Sequence, residues 1–219
     1  AAAHGRRSDL GGASTAMKTR WLTFWTRAGA TGDPEPEWRS LSTRYEEAHR
    51  AYHTLRHVAH CLDELEPARG LAADPVAVEM ALWYHGAVYD PLAKDNEERS
   101  AEIAARAAAT MGLPPEFGAR VAGLILVGTH RAPATDPDPR LFADIDLSVL
   151  GQAPEAFDEY ERQVRVEYSW VPEPAFRAGR SAILRSFLER PAIYGTDFFR
   201  EKYEATARQN LSRSIARLT

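Results

Sequence analysis

Arg44-Tyr-Glu-Glu-Ala-His-Arg-Ala-Tyr-His-Thr-Leu-Arg-His-Val-Ala-His-Cys-Leu-Asp-Glu-Leu65 carries four of the chain's seven histidines, His49, His53, His57 and His60. Read as one helix, their spacing puts all four imidazoles in an arc of roughly 80°. Val58, Cys61, Leu62 and Leu65 then fall on the opposite side. Such a helix buries an apolar face and turns a histidine face toward something else. Neutral imidazole is the commonest protein metal ligand and also a proton donor near pH 7. The plainer alternative is a histidine-rich helix whose rings are hydrogen-bonded or solvated. Further metal-capable groups downstream favour the chemical reading.

The remainder of the chain sets the frame. Its 219 residues suffice for one large domain with a full core, 44% are hydrophobic and 26% charged, and the formal net charge is −4. No global basic field argues for nucleic acid, and no apolar run approaches the length of a membrane span. With a single cysteine, Cys61, a disulfide framework is excluded and a reducing, cytoplasmic setting is expected. Cys61 itself reads as a small core residue rather than a nucleophile. Residues 1–16 are small, polar and glycine-rich. They are expected to be a disordered tail or a cloning remnant outside the fold, with Met17 the true start and the domain spanning 17–219.

Helical periodicity recurs throughout, without alternating strands, internal repeats or a composition break. Trp21, Leu22, Phe24 and Trp25 mark a first helix. Asp33 and the prolines after it read as a turn and a helix start, and a second helix, beginning near Glu37, carries Trp38 and Leu41. Asp74-Pro75 is an N-cap followed by a first-turn proline, and the helix they open ends at His85-Gly86. Asn96 to about Met111, Phe117 to Val127, Arg140 to Leu150, Pro154 to Tyr168, Pro174 to Leu188 and Asp197 to Leu218 follow. The fold expected is an all-α, single-domain helical bundle with its site between helices.

Four helices thus deliver imidazole or carboxylate: the histidine stripe, the two that end at His85 and at His130, and the one that carries Asp144 and Asp146. Leu141, Phe142, Ile145 and Val149 define the buried face of the last. Asp146 lies roughly 70° from its centre and Asp144 roughly 130°. Asp146 is therefore the better ligand, and Asp144 is expected to be solvated or a supporting partner.

The runs Arg44-Tyr-x-x-x-His-Arg-x-Tyr-His-x-x-x-His-Val, Trp-Tyr-His-Gly-Ala-Val-Tyr-Asp, Asn-Glu-Glu-Arg-Ser-Ala and Ala-Asp-Ile-Asp-Leu-Ser-Val-Leu-Gly resemble the HD-domain superfamily of metal-dependent phosphohydrolases, in its small single-domain bacterial branch. The resemblance runs from about Trp21 to the C-terminus. It implies a helical HD-type fold, a divalent metal cofactor (Mn, Mg, Zn or Fe) and a small phosphorylated substrate, a nucleotide first. It also implies the metal ligands His57, His85 and Asp146, the last in agreement with the helical-face argument. Cyclic nucleotide phosphodiesterases are distant relatives, in which the first histidine of the run protonates the leaving oxygen. By that resemblance His53 is the candidate general acid.

One departure stands out. The aspartate of the family's His-Asp pair, which bridges two metals, is Gly86 here. Two imidazoles and one carboxylate still hold a single ion, whereas a dinuclear site loses a main support. A substitution made to trap an inactive protein, a natural pseudo-enzyme and a working one-metal variant are all compatible with the sequence.

Phosphoester hydrolysis is the chemistry expected of the site. Lys94 is a candidate catalytic cation, and Glu97 or Glu98 a carboxylate orienting water or a ligand histidine. His130, Arg131 and Arg50 are candidate substrate contacts. Tyr52, Trp83, Tyr84 and Tyr89 either sandwich a nucleobase or fill the core. Two rivals remain: a non-catalytic nucleotide- or phosphate-binding module, and a di-iron oxygenase of the same fold that recruits His53 and His60. No nucleic-acid or membrane partner is expected, and the long C-terminal helices raise pairing as a homodimer.

Overall fold

A computed structural model describes residues 5–128 and 136–219 of the chain, with side chains from Ser14 onward. Among the described residues there are ten α-helices and no strand. Helix α1 (Gly5–Arg27) reaches back into the stretch expected to lie outside the fold, although the first buried side chain described is Met17. From there Met17, Trp21, Phe24 and Trp25 recur at helical spacing and are buried. Helix α2 (Pro34–Tyr45) starts three residues before Glu37, directly after the Asp33 turn. The Asp33 carboxylate accepts the Glu35 N–H, and Pro34 occupies the first turn.

The single long histidine helix does not form. Residues 46–54 are turns, and helix α3 (Leu55–Ala68) begins only after Thr54, whose hydroxyl accepts from the Arg56 N–H. His49 and His53 are therefore loop residues, and only His57 and His60 lie on the helix. The cause is tertiary. The Glu167 carboxylate accepts the backbone N–H groups of Ala51, Tyr52 and His53 at 2.8, 2.8 and 2.9 Å. Three donors that a helix would use internally are thereby committed to a charge on a distant helix.

Helix α4 (Pro75–Tyr84) is the central rod. Every residue from Ala77 to Tyr84 is buried, as expected of a helix surrounded by others. It packs against α1 and α3, against α5 (Asn96–Thr110) and α6 (Pro115–Val127), and against α7 (Pro137–Asp146). Trp83 meets Trp21 edge-on at 5.2 Å between ring centroids and Tyr84 meets it tilted at 5.8 Å, and Trp25 and Trp38 close the same cluster. Gly112, in the left-handed region at φ 78°, turns the chain between α5 and α6.

A 3₁₀ turn, Leu147–Gly151, continues α7 and packs against the last helix. Helices α8 (Pro154–Glu167), α9 (Glu173–Leu188) and α10 (Asp197–Leu218) complete the bundle. One continuous hydrophobic cluster runs from Met17 to Ile215. No helix among the described residues is long and apolar enough to cross a membrane.

Candidate metal centre

Three elements end at one place. Helix α3 presents His57 in its first turn, the buried rod α4 terminates at His85, and α7 terminates at Asp146. His57 Nε2 lies 2.9 Å from His85 Nε2 and 3.2 Å from Asp146 Oδ1, and His85 Nε2 lies 3.5 Å from the same oxygen. The corners of this triangle stand about 1.9 Å from a common centre, close to the 2.0–2.2 Å of zinc–nitrogen and zinc–oxygen bonds.

The His85 tautomer suits a cation. His85 Nδ1 is 2.9 Å from the Leu82 carbonyl, which can only accept, so the ring proton sits on Nδ1 and Nε2 offers its lone pair to the centre. Burial holds the His57 imidazole below its ordinary pKa, against the opposing pull of the Asp146 carboxylate. A neutral ring is the form that binds metal.

Cys61, a core residue as its helical position implies, also stands beside this group. His57, Cys61, His85 and Asp146 each offer one donor atom, all within 4.8 Å of one another. The sulfur is fully buried, as expected, but it also lies 3.7 Å from both His57 ring nitrogens, one helical turn away. Burial pushes its thiol well above the ordinary range.

Beside this group stands His53, held by Glu167. Their Nδ1 and Oε2 atoms are 2.7 Å apart, the Tyr89 hydroxyl donates to the same oxygen at 2.9 Å, and the His53 ring stacks on Tyr89 at 4.0 Å. Burial raises the Glu167 pKa, but the hydrogen bonds and charge of His53 with the backbone donors outweigh it and bring the carboxyl to about 2. Glu167 is absent from the candidate residues named from the sequence. The signal was present, since Phe157, Tyr160, Val164 and Glu167 share one helical stripe and the last is a charge on an apolar face.

The group opens into a cleft of about 480 Å³ lined by His53, His85, Asp146, Tyr52, Tyr89, Tyr160 and others. Of the four aromatics considered for base stacking, Tyr52 and Tyr89 line it, whereas Trp83 and Tyr84 are core. Lys94 and Glu97 are on its wall, Lys94 exposed and Glu97 half-buried. Glu98 is exposed at the start of α5. Arg180, which the sequence did not single out, also lines the cleft. Its guanidinium donates to the Tyr160 hydroxyl and to Glu161.

Several expected site residues are placed elsewhere. Arg50 is not positioned as a substrate cation. Its buried guanidinium donates to the carbonyls of His53, Gly86 and Ala87 and to Glu47, clamping the loop to the end of α4. His49 contacts the Tyr89 carbonyl, and His60 pairs with the Ser148 hydroxyl at 2.8 Å. Neither belongs to the four-residue group. His130 and Arg131 lie outside the described residues. Asp144 is not solvated. It is buried and accepts from the Gly195 and Thr196 N–H groups and the Thr196 hydroxyl, tethering the start of α10.

Gly86 adds no donor side chain, and its position is tight. A Cβ there would stand 3.3 Å from Tyr45 Cε1 and 3.4 Å from Tyr45 Oη. Tyr45 is itself held by a 2.9 Å bond from its hydroxyl to the Trp83 carbonyl. No family model, curated protein or solved structure matches the chain.

Proposed function

We propose that this protein is a metal-dependent phosphohydrolase that holds one divalent ion and acts on a small phosphoester, nucleotides included. The observation that carries this reading is the convergence of His57 Nε2, His85 Nε2 and Asp146 Oδ1 at the edge of a polar cleft. An ion bound by these residues supplies Lewis acidity to a phosphoryl oxygen and a water acidic enough to attack near neutral pH.

The chain's own residues supply the rest. His53 is fixed through Nδ1 by an ionised carboxylate, so its Nε2 is the nitrogen that delivers a proton to the leaving oxygen. Tyr89 packs against the ring and limits its rotation. Lys94 places positive charge on the cleft wall, where a phosphate dianion requires it, while the Arg180 guanidinium there is paired with Glu161. Glu97, on the same wall, is positioned to accept a hydrogen bond from a water in the cleft. Tyr52, Tyr89 and Tyr160 offer ring surface to the organic part of a substrate.

A second reading, a nucleotide- or phosphate-binding module without catalysis, draws support from Gly86, which leaves the centre one carboxylate short of a dinuclear site. A di-iron oxygenase draws no such support, because neither His53 nor His60 belongs to the four-residue group.

Calorimetric titration with Mn²⁺ and Zn²⁺, elemental analysis and a phosphoester panel test the proposal. The expected result is one ion per chain, lost in His57→Ala and Asp146→Ala, with ion-dependent phosphate release. Ion binding without hydrolysis by this chain or by Gly86→Asp selects the binding module. A chain that takes up no divalent ion ends both.

A further inference from the structure

We propose that Cys61 is a fourth ligand of this centre, so that the site selects a thiophilic ion such as Zn²⁺, Co²⁺ or Fe²⁺ over Mg²⁺. The inference rests on the metal-binding reading above and adds to it the identity of the ion.

The geometry is local and simple. His57 and Cys61 stand four residues apart on α3, which places their side chains on one face one turn apart. The sulfur is 3.7 Å from each His57 ring nitrogen and within 4.8 Å of the donor atoms of His85 and Asp146. A tetrahedral ion with bonds of about 2.3 Å to sulfur and 2.0–2.1 Å to nitrogen separates those two ligand atoms by roughly 3.5–3.6 Å, near the 3.7 Å to His57 Nε2, and the wider spacing of up to 4.8 Å within the group closes by about 1 Å as the ion draws the sulfur toward His85 and Asp146.

The chemistry of the donor set points the same way. Where Gly86 supplies nothing, the centre holds two imidazoles, one carboxylate and one thiol. Hard, oxygen-seeking ions such as Mg²⁺ prefer carboxylate, carbonyl and water, whereas a mixed nitrogen and sulfur set favours zinc, cobalt or iron. Sulfur joins with a balanced exchange: the S–H bond breaks, its proton leaves to solvent, and the sulfur lone pair forms the bond to the ion. Full burial shields the thiolate from competing oxidation.

The test is spectroscopic and independent of activity. The chelator-stripped full chain, kept anaerobic, is titrated with Co²⁺. Wild type is expected to develop the intense near-ultraviolet band of thiolate-to-cobalt charge transfer together with visible d–d absorption. Cys61→Ser and Cys61→Ala are expected to keep the visible absorption and lose the charge-transfer band. In competition experiments Zn²⁺ affinity should fall at least tenfold in Cys61→Ala, with Mn²⁺ affinity within twofold of wild type. Co²⁺ bound by wild type without the band overturns the assignment of Cys61 and leaves the three-ligand reading intact. Absence of Co²⁺ binding overturns both. The wild-type spectrum decides the question even where a variant fails to fold.

Discussion

Glu167 is the residue on which the candidate site turns. One carboxylate oxygen accepts three successive backbone N–H groups, and the other takes the His53 ring and the Tyr89 hydroxyl. It therefore both prevents the loop from joining α3 and orients the candidate acid. Its folded pKa of about 2 lies below the ordinary 4.5. The stabilisation is therefore complete above pH 4.5 and is lost as pH falls toward 2, amounting to about 3 kcal/mol. Denaturant unfolding of wild type and Glu167→Gln should differ most at neutral pH, with the gap closing progressively below pH 4.5. A gap that stays constant down to pH 2.5 contradicts this account. Asp144 and Asp146 teach a related lesson, because two residues of separation send one carboxylate to the α10 cap and the other to the ligand group.

At the scale of elements, the end of α4 is the critical junction. The rod delivers His85 because it is buried from Ala77 to Tyr84 and packed on every side. Just beyond it, Gly86 fits under the Tyr45 ring while its carbonyl binds Arg50 at 2.7 Å. Restoring a side chain there pushes on a buried ring anchored to Trp83. Gly86→Asp should cost about 1–3 kcal/mol, a fall of roughly 2–12 °C in Tm for a chain of this size. Combining it with Tyr45→Phe, which frees the ring from the Trp83 carbonyl, should recover at least about 0.5 kcal/mol relative to additivity. Strictly additive Tm losses would show that the two positions do not press on one another. This strain also bears on the use of Gly86→Asp in activity tests, which require a folded control.

For the whole molecule, the ligand group joins α3, α4 and α7, three helices that share the single core. An ion that bridges them binds the folded chain and has no equivalent site in the unfolded one, so it must raise stability by mass action. At a free ion concentration 100 times Kd the gain is about 2.7 kcal/mol. Thermal unfolding should show Tm rising with Zn²⁺ concentration in wild type, with little or no rise in Asp146→Ala. An equal rise in both proteins would place the ion elsewhere. The cleft itself is also assembled from distant parts, with α8 and α9 contributing Tyr160 and Arg180 opposite His85 and Asp146.

The helical periods, caps and breakers of the sequence were sufficient for the all-α class and for most element boundaries. Asp33, Asp74 and the prolines after them act through neighbours within four residues, and local signals of that kind survive in any tertiary setting. The pairing of His57, His85 and Asp146 was also legible, since each stands on or at the end of a strongly patterned helix. What the chain order could not reveal were contacts between residues far apart. Glu167 interrupts a histidine helix more than a hundred positions away, Arg50 spends its charge on carbonyls at Gly86 and Ala87, and Asp144 is claimed by Thr196. Cys61 shows the limit most clearly. Helical pattern marks it as apolar interior, which it is, but only the approach of α4 and α7 to that face of α3 turns interior packing into proximity to three other donors. Periodicity describes which side of a helix is buried; the neighbours it is buried against are decided by how the helices pack.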